Sequence, residues 1–174
     1  AALCREGKQA NAAGEFEQAL ASFEAAYPLL FKSSTVISLV NMRLKLGETE
    51  LAAACYRKIL ASDSLPAAER QHVAGKLREA VAVEEAVSSI VDMPQAGRFL
   101  SQEQRAARHA KLLEQARAAH ARDDFTAAAD HFVQAWPLLY RPTTLVSAAN
   151  MLLRSGRPRL AAGLYVRLQR LELS

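Results

Sequence analysis

Residues 26–42 read AYPLLFKSSTVISLVNM, and residues 135–151, 109 positions later, read AWPLLYRPTTLVSAANM. Aligned at that offset, residues 26–60 and 135–169 share 14 of 35 positions, and nine of the other 21 exchange Tyr for Trp, Phe for Tyr, Lys for Arg, Ser for Thr or one branched aliphatic for another. Chance leaves only a few identities, so the chain carries an internal duplication. A shorter period lies inside the long one. Gly14, Ala19 and Phe23 return 33 residues on as Gly47, Ala52 and Tyr56, and Asp123, Ala128 and Phe132 return as Gly156, Ala161 and Tyr165. A period of that size marks stacked supersecondary units, each too small to bury its apolar face alone.

The chemistry of one unit can be read from LCREGKQANAAGEFEQALASFEAA, residues 3–26. Leu3, Gly7 and Ala10, then Ala19, Phe23 and Ala26, are spaced by three and four, the stripe of a helix. Gly14 separates the stripes and can take the left-handed conformation that closes one helix and releases the next. Each unit is therefore expected to be a helix, a tight turn and an antiparallel helix. Composition agrees: 51% of the residues are apolar, alanine leads that share, and aromatics are only 6%. Small helix formers dominate over strand formers.

The pattern resembles the tetratricopeptide repeat, in which a large then a small apolar residue mark the first helix, and Ala, an aromatic and Ala the second. Leu3, Gly7, Gly14, Ala19, Phe23 and Ala26 match it, as do Val36, Leu39, Gly47, Ala52 and Tyr56, and residues 112–136 and 145–168 repeat the match. The likeness covers about 130 residues. Three departures stand out: no Trp opens a unit, Ala10 replaces the usual Tyr, and Pro28 and Pro137 come earlier than the family's closing proline. The resemblance implies an all-α solenoid of antiparallel helix hairpins, about nine helices in all.

Proline disfavours helix at the residue before it, so the second helices are expected to end at Tyr27 and Trp136. PLLFKSS and PLLYRPT then become compact turns into helices capped by Ser33 or opened by Pro142. Between the copies, residues 66–91 carry Val73, Leu77, Val81, Val87 and Val91 on one stripe and predict a single helix that caps the first pair and leads to the second. Ser101 and Gln104 form a capping box for the next helix. The expected helices are 2–13, 16–27, 34–46, 49–61, 66–91, 101–121, 125–136, 142–155 and 158–171, in a first pair (1–65), a connecting helix and loop (66–100) and a second pair (101–174).

Catalytic signals are scarce. The chain has no HExxH, CxxC or GxSxG and no glycine-rich phosphate loop, so an enzyme is not expected, nor a small-molecule substrate, a cofactor or a metal. His109 and His120 are 11 residues apart, about 16 Å along one helix, too far to share an ion; with His131 they read as surface histidines. Glu84 and Glu85, like Asp123 and Asp124, read as solvated. The rows Phe23–Tyr27–Phe31 and Phe132–Trp136–Tyr140 read as core. Cys4 and Cys55 form no disulfide framework, which favours a reducing compartment, cytoplasm or organelle interior. No transmembrane segment and no leader are evident, and a chain opening on Ala1 is expected to begin inside a longer or processed precursor.

First helices of stacked hairpins line a concave surface. That places Lys8 and Asn11 beside Asn41 and Lys45, and Arg117 and His120 beside Asn150 and Arg154. Both troughs are polar and basic. By resemblance to tetratricopeptide adaptors that hold a peptide carboxylate between Asn and Lys, the implied partner is a protein or peptide, acidic or carboxylate-ended. The competing reading makes these ordinary structural and solubilising residues. A different class of function is a structural or accessory subunit buried in a larger multi-protein assembly. Residues 135–174 hold six arginines against Glu172 alone, but without interleaved exposed aromatics nucleic acid is disfavoured. Leu160, Leu164, Leu168 and Leu171, with Leu173 close by, predict a closing helix covered by another chain or by sequence after Ser174.

Overall fold

A computed structural model describes residues 2–30 and 32–172 of the chain. Phe31 and Leu173, which entered the expectations above, lie outside the described residues. Among the described residues the fold is all-α, with nine helices and no strand: α1 (Ala2–Ala13), α2 (Phe16–Leu30), α3 (Ser33–Lys45), α4 (Thr49–Leu60), α5 (Ala67–Val91), α6 (Gln102–His120), α7 (Phe125–Leu139), α8 (Pro142–Arg154) and α9 (Pro158–Glu172). The duplication recurs in the boundaries. Helices α2 and α3 begin and end 109 residues before α7 and α8, and α4 begins 109 before α9.

The hairpin turns explain that match. Gly14, Gly47 and Gly156 sit at φ +81°, +82° and +80°, and Asp123 takes the fourth turn at φ +57°. Only glycine, or a short polar residue such as Asp, occupies that left-handed region at small cost. Beside the first turn, a Cβ on Gly7 would lie 3.0–3.1 Å from the Phe23 ring, so α1 and α2 approach closely because residue 7 has no side chain. Ser101 and Gln104 form the expected capping box at α6, and Pro142 opens α8.

Three local expectations are corrected. Helices α2 and α7 run through Pro28 and Pro137 to Leu30 and Leu139 rather than stopping at Tyr27 and Trp136. A proline this near the end forfeits only one ladder bond, and the helix continues for a short final stretch. Tyr140 then ends α7 in the left-handed conformation, its N–H donating to Trp136 O at 2.8 Å. Ser33 does not cap α3: the helix begins at that residue, and Lys32 holds the cap position without a side-chain bond. The aromatic rows are not uniformly core either. Phe23 and Trp136 are buried, Phe132 is half-buried, and Tyr27 and Tyr140 are exposed.

By internal contacts the chain divides into two compact units, 1–84 and 85–174, and the division falls inside α5. In the first unit, Ala10, Ala19, Phe23 and Met42 join α1, α2 and α3. A second cluster joins Ile37, Val40, Leu44 and Tyr56 of α3 and α4 to Val73 and Ala80 of α5. Thr49 also donates its hydroxyl to Glu84, so Glu84 is a helix tie rather than a solvated carboxylate. In the second unit, Leu160, Leu164 and Leu168 of α9 are buried while Leu171 is exposed. Most of the leucine stripe is thus satisfied within the unit. Trp136 Nε1 donates to Val91 O at 3.2 Å, which places the last turn of α5 over α7.

Candidate functional site

Six of the eight residues expected to form the troughs are tied to neighbours inside their own unit. Lys45 Nζ donates to Asn11 Oδ1 at 2.5 Å and lies 4.6 Å from the centre of the Phe16 ring. At the same offset of 109, Arg154 Nη1 stands 2.6 Å from His120 Nε2, and its guanidinium is 4.2 Å from the centre of the Phe125 ring. Guanidinium only donates, so His120 accepts with Nε2 unprotonated. Each cation bridges two hairpins and covers an aromatic face. Asn41 Oδ1 accepts from Tyr56 Oη at 2.6 Å, and Asn150 Oδ1 accepts from Tyr165 Oη at 2.5 Å. These bonds join the two helices of one hairpin, and burial raises the pKa of the Tyr165 phenol.

Lys8 and Arg117 differ. Both are exposed, and among the described residues neither side chain has a hydrogen bond or ion pair. Lys8 lines a cleft of about 360 Å³ between α1, α2 and α3, together with Cys4, Phe23, Leu30, Lys32, Ser34, Thr35 and Ser38. Two ammonium groups and two serine hydroxyls stand at its wall, and Phe23 and Leu30 supply apolar surface. Sequence reasoning missed Lys32, Ser34 and Ser38 because it followed only residues three or four apart on one helix. The offset could have found them. Lys8, Lys32, Ser34 and Ser38 correspond to Arg117, Arg141, Thr143 and Ser147, each exchanged in kind or kept.

The threonine behind this wall is buried in both units. Thr35 Oγ1 lies 3.8 Å from Cys4 Sγ, and Thr144 Oγ1 lies 3.1 Å from His109 Nε2. His109 is therefore not a surface histidine: it is 3% exposed, with its pKa lowered by burial and secondarily by the Arg141 charge. Its neighbour in the supposed series, His120, is engaged by Arg154. Among the described residues no three His, Cys, Asp or Glu side chains stand close enough to hold a metal ion. Asp124 caps α7, its carboxylate accepting from Ala127 N at 3.0 Å. No described helix is long and apolar enough to cross a membrane.

Comparison of the chain with protein-family models, with curated proteins and with solved structures returned no match.

Proposed function

We propose that the protein is a non-catalytic protein-interaction module of tetratricopeptide type, and that it takes an acidic or carboxylate-ended peptide in the cleft between α1, α2 and α3. The observation that carries this reading is the pairing of Lys8 and Lys32 beside one cleft, matched in kind by Arg117 and Arg141 in the second copy. Ammonium groups give charge-assisted bonds to a carboxylate, Ser34 and Ser38 suit peptide backbone, and Phe23 and Leu30 suit an apolar side chain. In this reading Asn11, Asn41, Lys45, His120, Asn150 and Arg154 are the framework, and Lys8 and Arg117 are the contacts.

Titration calorimetry with an acidic peptide bearing a free C-terminal carboxylate tests it. Lys8→Ala with Lys32→Ala is expected to weaken binding at least tenfold, since a hydrogen bond to a charged group contributes about 1.5–3 kcal/mol, with little change in melting temperature. Asn41→Ala is expected to act oppositely, lowering stability by about 1 kcal/mol because the bond from the Tyr56 hydroxyl to Asn41 is lost. Unchanged affinity in the double lysine variant would overturn the reading. A second reading, an accessory subunit held in a larger assembly that also covers α9, is favoured by the exposure of Phe99 (89%) and of Leu153 and Leu171. It calls for association of the isolated chain, lost with Leu153→Glu.

A further inference from the structure

The cleft between α1, α2 and α3 carries charge of one sign. Lys8 and Lys32 stand at its wall, and among the described residues no acidic side chain lines it. Both lysines are exposed, and among the described residues neither ammonium group has a hydrogen bond or ion pair. Elsewhere in the same unit a cation is compensated: Arg43 takes Glu24 at 2.6 Å and Glu48 at 2.7 Å. Two uncompensated charges therefore share one concavity of about 360 Å³. That is the lower end of the range for small-ligand sites, about 300–1,000 Å³, and suits one side chain with its flanking backbone rather than a folded surface.

The neutral groups narrow the choice of anion. Ser38 Oγ donates to Ser34 O at 2.8 Å, so its one proton is spent and it can only accept from a ligand. The Ser34 hydroxyl has no partner among the described residues and is free to donate. Thr35 and Val36 N–H donate to Lys32 O at 3.0 and 3.2 Å, which leaves the Ser34 N–H outside the helical ladder. No side chain caps α3 there, and its first turn holds no acid. Two ammonium groups and the two donors of Ser34 exceed what the single charge of a carboxylate compensates. A phosphate monoester brings three acceptor oxygens and a charge of about −1.5 to −2 at pH 7.

The set recurs at the offset of 109 as Arg117, Arg141, Thr143 and Ser147. Arg141 again stands at an N-cap that no side chain fills, and the first turn of α8 again holds no acid. Charge as such is not kept by the duplication, because Arg43, Glu24 and Glu48 return as Leu152, Val133 and Arg157.

We infer that the anion held in this cleft, on the reading of it as a peptide site, is the phosphate of a phosphorylated serine or threonine in a partner protein. Lys8 and Lys32 compensate its charge, Ser34 donates to a terminal oxygen, and Ser38 accepts from a backbone N–H of the peptide.

The probes are pentapeptides, acetyl-Gly-Leu-Xaa-Ala-Gly-amide, with serine, glutamate or phosphoserine at Xaa, titrated into the full chain by calorimetry and, with isotope-labelled chain, by amide NMR. The amidated end removes the competing terminal carboxylate. The phosphoserine peptide is expected to bind roughly tenfold more tightly than the glutamate one, the worth of one further bond to a charged group, and to shift the Ser34 amide. Lys8→Ala with Lys32→Ala should weaken it on the order of a hundredfold, the loss of two such bonds, and abolish the Ser34 shift. Equal affinity for phosphoserine and glutamate, both lost in the double lysine variant, would overturn the phosphate assignment and leave the cleft an acidic-peptide site. Binding of neither peptide, or of both irrespective of the lysines, would overturn the assignment together with that site. Inorganic phosphate that displaces the peptide at equal concentration would make the occupant a free anion. Lysine-dependent sedimentation with phosphatidylcholine vesicles containing phosphatidic acid, without peptide binding, would make it a membrane surface. Either result would overturn the inference.

Discussion

The imidazole of His109 is shut in with Thr144, Nε2 to Oγ1 at 3.1 Å, and its lowered pKa has a consequence for stability. The folded state resists protonation, while the unfolded chain protonates near the ordinary value of about 6.5. Below that value the unfolded chain binds more protons than the folded one, so stability falls as pH falls, and the loss is complete only below the depressed folded pKa. Melting temperature is therefore expected to drop between pH 7.5 and pH 5, and His109→Gln should flatten that part of the profile. An unchanged slope in the variant would mean that His109 does not titrate with folding. The burial of His109 was illegible in the sequence because a histidine ahead of Leu112, Leu113 and Ala116 suits the edge of a helix stripe as well as its centre, and the partner lies 35 residues away. The Asn41–Tyr56 bond was hidden for a related reason. Spacing on a single helix gives neighbours on that helix and says nothing of which residue of the next helix faces them. Its recurrence at Asn150–Tyr165 was visible in the sequence and could have identified both asparagines as helix ties.

Helix ends behave differently in the two copies although their bounds agree. Pro28 and Pro137 both lie within the helix, but Pro137 is buried under residues 91–96 and Pro28 is exposed. An interior helical proline costs about 3 kcal/mol. Near the end the cost is smaller, and the ring also stiffens the unfolded chain by about 0.4–1 kcal/mol. Pro28→Ala is accordingly expected to stabilise the protein by about 1 kcal/mol, read from urea denaturation. A lower stability would show that the ring itself sets the path of the chain into α3. The interior of the hairpins shows the same freedom of solution. Arg43 of α3 bridges Glu24 at 2.6 Å and Glu48 at 2.7 Å, while the second copy puts Val133, Leu152 and Arg157 at those positions, with Leu152 buried. One copy links its helices by ion pairs and the other by packing. Helix order, turns and the capping box were legible because each is fixed within a few residues. The helix ends at the prolines were not, since tertiary cover competes there with local preference.

The division of the whole chain at Glu84–Glu85 crosses a helix whose sequence shows no break. Its first part completes one core: Val73 and Ala80 are fully buried against α3 and α4, with Leu77 and Val81 packed beside them. Its last turn belongs to the second unit, where Val91 meets Trp136. Period and duplication could be read directly from the residues, but the shared helix could not be apportioned, because one continuous stripe serves both units. The division makes a prediction about fragments. Residues 1–84 contain every member of the two clusters described for the first unit, so this piece should unfold cooperatively and bind little hydrophobic dye. Residues 1–65 lack Val73, Leu77, Ala80 and Val81. Losing buried aliphatic side chains costs about 1.5–3 kcal/mol for each large one, against a total of about 5–15 kcal/mol for an ordinary domain and less for one so short. The shorter piece should therefore bind dye and lose its cooperative transition in circular dichroism. If 1–65 melts as sharply as 1–84, the first part of α5 is only a tether. If 1–84 fails to fold while the full chain is stable, the two units depend on each other, and the boundary inside α5 does not separate independent folding units.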